Sequence, residues 1–169
     1  MIFSRVWAMP NPDTFSIKPI AELLSRYVSG VTVDPFARNS KLATYTNDLN
    51  PETTADSHME AVLWLDKLIQ EGVQADCCLL DPPYSPRQIS EVYKSIGLKA
   101  SQLDTQNARL YKECKDRMNM LLKQGGVAIT CGWNSMGFGI NRGYEMIELL
   151  LVPCGAAHND YIVTVERKK

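Results

Sequence analysis

What this chain lacks narrows it first. No apolar run approaches the roughly 20 residues that span a bilayer, and 45% of its 169 residues are hydrophobic, enough for one core in a domain of ordinary size. A soluble protein with no membrane partner is the expectation. Only two histidines are present, and the five cysteines, at 77, 78, 114, 131 and 154, are odd in number and without paired metal spacing, so neither a metal centre nor a disulfide framework is expected. Residues 1–10 hold one basic side chain and no long apolar core, which argues against a secretory leader and for a reducing, cytoplasmic setting. Excess charge of either sign is missing too, with 18 Lys and Arg against 19 Asp and Glu, a net charge of −1. That balance excludes a global basic field for nucleic acid, so such contacts must rest on local cations. Repeats and low-complexity tracts are absent as well.

What is there alternates. Apolar residues at 17, 20, 23, 24 and 28 have helical spacing, with Ser16 or Asp13 as a cap. Strands are expected at 31–33, ending at Asp34, and at 42–46, ending at Asn47-Asp48, with a third squeezed in near 54–57 before a helix over about 60–70. Cys77 to Leu80 reads as a strand, and the stretch 101–123 as amphipathic, with Leu110, Cys114, Met118 and Leu121 on one face before a stop at Gly125-Gly126. Strands at 127–131, 144–152 and 161–165 complete the chain, and Trp7 and Trp64 read as core. This order predicts a doubly wound α/β domain: a mostly parallel sheet with an antiparallel last strand, without a separate target-recognition domain over residues 1–169. The crossover after Asp34 is too short for a full helix and is expected to shrink to a single turn. Gly137, Gly139 and Gly143 suggest a mobile loop over the active edge between 132 and 143.

In such sheets ligands sit beyond the carboxyl ends of the strands, where Asp34, Asp48 and Asp81 all fall, and His158-Asn159-Asp160 joins them at the start of the last strand. Asp81-Pro82-Pro83-Tyr84 carries the chemistry. A planar amine is a poor nucleophile because its lone pair is delocalised, and acceptors at both N–H bonds favour the tetrahedral geometry that attack requires. Asp81 can supply one acceptor and the Pro82 carbonyl the other, on a backbone that two prolines preorganise. Tyr84 can stack on the base, which must be flipped to be reached in a duplex. The same residues also fit a strand followed by a plain Pro-Pro turn. Asp48 likewise fits a turn, and Glu60 a helix-start charge.

Three motifs in order carry a resemblance. Asp34-Pro35-Phe36-Ala37 resembles the opening of the cofactor motif of S-adenosylmethionine-dependent amino-methyltransferases, Asn47-Asp48-Leu49-Asn50-Pro51 their ribose-binding acid, and Asp81-Pro82-Pro83-Tyr84 their catalytic tetrapeptide. The whole chain is similar to the small adenine-specific DNA methyltransferases of phages and related mobile elements. The resemblance implies S-adenosylmethionine as cofactor, held by Asp34, Phe36, Asp48, Glu60 and Asp81, with Lys18 or the adjoining helix start receiving its carboxylate. It implies catalysis by Asp81, Pro82, Pro83 and Tyr84, without a metal. It implies DNA as partner, contacted by Tyr84, Trp133, Asn134, His158, Asn159 and Arg87, with a homodimer or partner chain completing target recognition. In place of the family's glycine-rich cofactor loop this chain reads Ala37-Arg38-Asn39-Ser40. Cytosine amine, RNA or a protein amide as acceptor, and an inactive nucleic-acid-binding module, stand as the other readings.

Overall fold

A computed structural model describes residues 1–83, 86–99, 107–155 and 158–169. Seven strands form one sheet in the order β1-β6-β7-β5-β4-β2-β3. They are β1 (Ile2–Arg5), β2 (Thr32–Asp34), β3 (Tyr45–Thr46), β4 (Ala75–Leu80), β5 (Leu122–Gly132), β6 (Tyr144–Val152) and β7 (Tyr161–Lys168). All neighbours run parallel except β7, which lies antiparallel between β5 and β6. The expected mostly parallel α/β sheet with an antiparallel last strand is therefore the fold.

Strand alternation divides the core between two faces. Cys77 and Leu79 of β4 point to α1 (Lys18–Tyr27), whose Ile20, Leu23 and Leu24 also meet Ile129, Leu150 and Val163. Cys78 and Leu80 point the other way, to Trp64, Leu65 and Leu68 of α2 (Ala61–Gln70) and to Cys114, Met118 and Leu121 of α4 (Asn107–Leu121). Each such side chain, once buried, contributes about 1.5–3 kcal/mol. The spacing on α1 and α4 is thus read correctly from the sequence, and Trp64 is core at 3% exposure. Glu148, buried on β6, accepts hydrogen bonds of 2.6 Å from both Arg26 and Tyr27, which fastens the end of α1 to the sheet. No helix among the described residues is long and apolar enough to cross a membrane.

Several expectations are corrected. Trp7 is 60% exposed: it follows β1, a strand that the sequence pattern did not announce because Ile2-Phe3-Ser4-Arg5 is too short for a period. The strand expected over 42–46 is only Tyr45–Thr46, and the one near 54–57 contracts to a single bridge between Asn47 and Ser57. Neither Ser16 nor Asp13 caps α1, since Ile17 holds the cap position and the Ser16 hydroxyl donates to the Asp13 carbonyl. After Asp34 there is no helix, only two successive turns, at Pro35-Phe36 and at Arg38-Asn39, the second closed by the Ser40 amide on the Ala37 carbonyl. α3 (Pro86–Ser95) was not anticipated, although Ile89, Val92, Tyr93 and Ile96 have helical spacing behind an early proline.

The segment 133–143 is not a loose cover over the active edge. It descends the α4 face to the opposite edge, buries Phe138 against Tyr144 with ring centroids 5.0 Å apart, and donates the Phe138 and Gly139 amides to the Glu166 carboxylate. Arg142 closes it with a 2.8 Å bond to Asp116 of α4. Gly137 serves close packing: a Cβ there, where φ is +50°, would lie 2.1 Å from Glu166 Oε2.

Candidate active site

The carboxyl ends of β2, β3 and β4 bring Asp34, Asp48 and Asp81 to one edge of the sheet, as the sequence predicts. Asp34 ends β2 and is wholly buried. Its Oδ1 accepts the Phe36 amide at 3.0 Å, while Oδ2 meets no partner. Burial pushes this carboxyl up to about 8; the Phe36 amide opposes the shift, and the charges of Asp81 and Asp48 reinforce it. At neutral pH Asp34 is therefore mostly protonated. Asp48, half-buried, accepts the Arg38 amide on Oδ2 at 3.1 Å and the Asn50 amide on Oδ1 at 2.9 Å. It shapes the turn, and each oxygen keeps a lone pair for a ligand hydroxyl. Asn47, to which the sequence reading gave no role of its own, ties the two loops by bonding Met59 through both its amide atoms and the Pro35 carbonyl through one.

Arg38 explains how the loop dispenses with glycine. It is the non-glycine residue of positive φ, 50°, among the described residues, and so takes the left-handed turn itself. Its guanidinium compensates by bonding the Pro12 carbonyl at 2.6 Å and pairing with Asp13 at 3.3 Å.

Beside this loop opens a cavity of about 1010 Å³. Phe36, Asp48, Glu60, Asp81, Pro82 and Pro83 all line it, so six of the predicted residues share one space. Leu49, Val62 and Leu63 give it apolar wall, and Pro12 and Thr14 bound one end. α3 forms the far wall with Gln88, Ile89, Val92 and Tyr93, and the Tyr93 hydroxyl donates to Glu60. A carboxylate for vicinal hydroxyls, an apolar slot for a flat ring, and room for two ligands fit an adenosyl cofactor with a planar acceptor beside it.

Other predicted residues fall elsewhere. Lys18 begins α1, exposed and outside the cavity lining. Arg87 is exposed on α3 and paired with Glu91 at 2.8 Å. Trp133, 41% exposed, and Asn134 follow β5, next to β4 at the same edge; the Asn134 side chain accepts the Met136 amide. His158 and Asn159 are exposed before β7, one strand further from Asp81. Tyr84 lies outside the described residues. A residue that the sequence reading missed is Tyr111 of α4. Burial raises its phenol, as does the charge of Asp81, so it stands near the acid as a protonated donor. Lying next to Leu110 on the same helix, it was hidden among the core positions.

No family model matches the chain, and no curated protein matches its sequence. Solved structures do. SMU.776, described as a methyltransferase and complexed with SAH, aligns at a TM-score of 0.57 with 10% identity, covering 80% of this chain and 44% of its own. NSun6 from Pyrococcus horikoshii, solved with SFG, aligns at 0.58 with 15% identity over 88% of this chain and 50% of its own. An rRNA methylase from Streptococcus thermophilus aligns at 0.54 with 11% identity over 96% of this chain and 100% of its own. The chain thus spans about half the length of the first two and all of the third. At such identities the likeness is one of fold, the Rossmann-like fold of methyltransferases.

Proposed function

We propose that this chain is an S-adenosylmethionine-dependent methyltransferase acting on the exocyclic amine of adenine in DNA. The observation that carries the reading is the position of Asp81-Pro82-Pro83, which opens from the end of β4 into the cavity shared by Asp48, Phe36 and Glu60. The Asp48 carboxylate suits the ribose hydroxyls, Phe36, Leu49 and Val62 suit the adenine faces, and Glu60 suits its polar rim. S-adenosylmethionine, when bound, supplies an electrophilic methyl group on a positively charged sulfur.

The chain's own residues then orient and discharge the acceptor. Asp81 accepts one N–H of the amine and the Pro82 carbonyl the other, which localises the nitrogen lone pair. The walls hold the two reactants together, and most of the rate follows from that positioning. The methylated nitrogen is far more acidic than the starting amine, so Asp81 takes up the released proton without being a strong base. By the resemblance, Tyr84 stacks on the base and Trp133 and Asn134 flank it.

Asp81→Ala should abolish methyl transfer while leaving cofactor affinity within about threefold by calorimetry, because the interaction that matters most is made to the acceptor, and Phe36, Asp48 and Glu60 still hold the cofactor. Retained transfer would remove the assignment. RNA is the second polymer to test, since one protein of the same fold and extent is an rRNA methylase. Radiolabelled methyl transfer to DNA and to RNA, followed by nucleoside analysis, separates the two and identifies the base.

A further inference from the structure

β1 is the outermost strand of the sheet, paired to β6 on one side only. Val6 and Ala8 donate their amides to Leu151 and Pro153. By the alternation of a strand, the amides and carbonyls of the odd residues, Phe3, Arg5 and Trp7, face away from β6. The side chains along this edge are large and uncovered: Ile2 is 54% exposed, Phe3 61%, Val6 45% and Trp7 60%. Neither proline nor lysine nor a bulge interrupts residues 2–7, and Arg5 is the one charge along this short edge.

We propose that two copies of this chain join edge to edge through β1, antiparallel about a two-fold axis at Ser4. The occupant is a second copy because the edge is complementary to itself in one register. Outward-facing residues must stand opposite outward-facing ones, which excludes any axis between two residues. An axis at Arg5 sets the two Arg5 side chains against each other, an axis at Phe3 leaves Val6 and Trp7 uncovered, and an axis at Val6 sets Phe3 and Ile2 opposite Met9 and Pro10, past the last amide bonded along β6. The axis at Ser4 sets Phe3 opposite the second copy's Arg5, Ile2 opposite its Val6, and Met1 opposite its Trp7. These are a cation on an aromatic ring, an aliphatic pair and a thioether on an indole. Such an isologous contact closes as a dimer and removes the open edge from both copies.

The geometry has a consequence for the site. Because the two β1 strands run in opposite directions, the two C-terminal edges, and with them the two cavities, open on opposite sides of the joined sheet. The chain leaving β1 also crosses towards the cofactor loop, where the Tyr161 hydroxyl holds the Asn11 carbonyl at 3.4 Å and Arg38 holds that of Pro12. The interface is thus one short strap from the residue that shapes the candidate cofactor loop.

Analytical ultracentrifugation of the full chain across the micromolar range is expected to show a monomer–dimer equilibrium. Phe3→Lys, which sets a cation opposite Arg5, should weaken it by at least about tenfold, while Phe3→Glu, equally polar but opposite in charge, should leave it within about threefold. At concentrations where the parent is monomeric both variants should melt like it, because Phe3 is mostly exposed. Ser4→Cys places two thiols across the axis with Cα atoms about 4.5 Å apart, close enough to bridge. All five native cysteines are buried, so mild oxidation of this variant should give one disulfide-linked dimer, and Leu42→Cys at the opposite edge none. A chain that is monomeric throughout, a dimer weakened equally by both Phe3 variants, or no Ser4→Cys crosslink overturns the proposal. None of these readouts depends on cofactor binding or methyl transfer.

Discussion

Asp34 shows how a residue can be legible in place and illegible in state. Its position at a strand end follows from the sequence pattern, but only the fold reveals that its second oxygen is buried with no protein donor to it. A carboxyl pushed from 3.8 to about 8 keeps its proton where the unfolded chain has lost it. Stability from this group is therefore full below the ordinary carboxylate range, and it falls as pH rises towards 8, by up to about 1.4 kcal/mol per unit. Asp34→Asn keeps the acceptor for the Phe36 amide and cannot ionise. Its stability relative to the parent should climb by up to about 3 kcal/mol between pH 5 and pH 7 in urea denaturation. A difference that does not move with pH would mean that Asp34 is ionised in the native protein. Arg38 is the contrasting case: the absence of glycine from the candidate cofactor loop was plain in the sequence, whereas the left-handed backbone of an arginine tied to Pro12 was not, because the tie spans 26 residues.

At the scale of elements, what could be read depended on length and period. α1, α2 and α4 each bury a stripe of three or more apolar residues, and β4, β6 and β7 carry apolar runs, so pattern alone finds them. β1 and β3 are too short to show alternation, and their pairing is set by neighbours distant in sequence. The crossover 133–143 misled for a different reason. Three glycines suggest freedom, but glycine also permits close approach, and here Glu166 of β7 occupies the space a side chain would need. Gly137→Ala must displace that carboxylate from the Phe138 and Gly139 amides and strain a positive φ. It should cost about 2–4 kcal/mol in urea denaturation, and Glu166→Gln, which keeps acceptor and shape, distinctly less. Equal and small losses would show that the segment is held by Phe138 alone.

For the whole molecule, the sheet order was the least legible property, since which strands become neighbours depends on contacts between residues far apart. The insertion of β7 between β5 and β6 places Cys131 beside Val163 and closes the α1-side core over residues from four strands. The two cores share β4, where Cys77 serves one face and Cys78 the other, so the thiols sample both at once. Burial pushes the Cys77 and Cys114 thiols up to about 12, and raises Cys78 and Cys131 as well. A thiol that is both covered and protonated reacts only when its part of the structure opens. Labelling at pH 8 with a thiol reagent, followed by mass spectrometry, should therefore find Cys154 first, because it is the most accessible of the five at 6% and lies just past the end of β6. Cys77, Cys78, Cys114 and Cys131 should follow together, at a rate that rises with urea as the global unfolding equilibrium does. If Cys114 were labelled well before Cys77, the α2–α4 face would be opening while the α1 face stayed closed, and the two layers would not share one cooperative core.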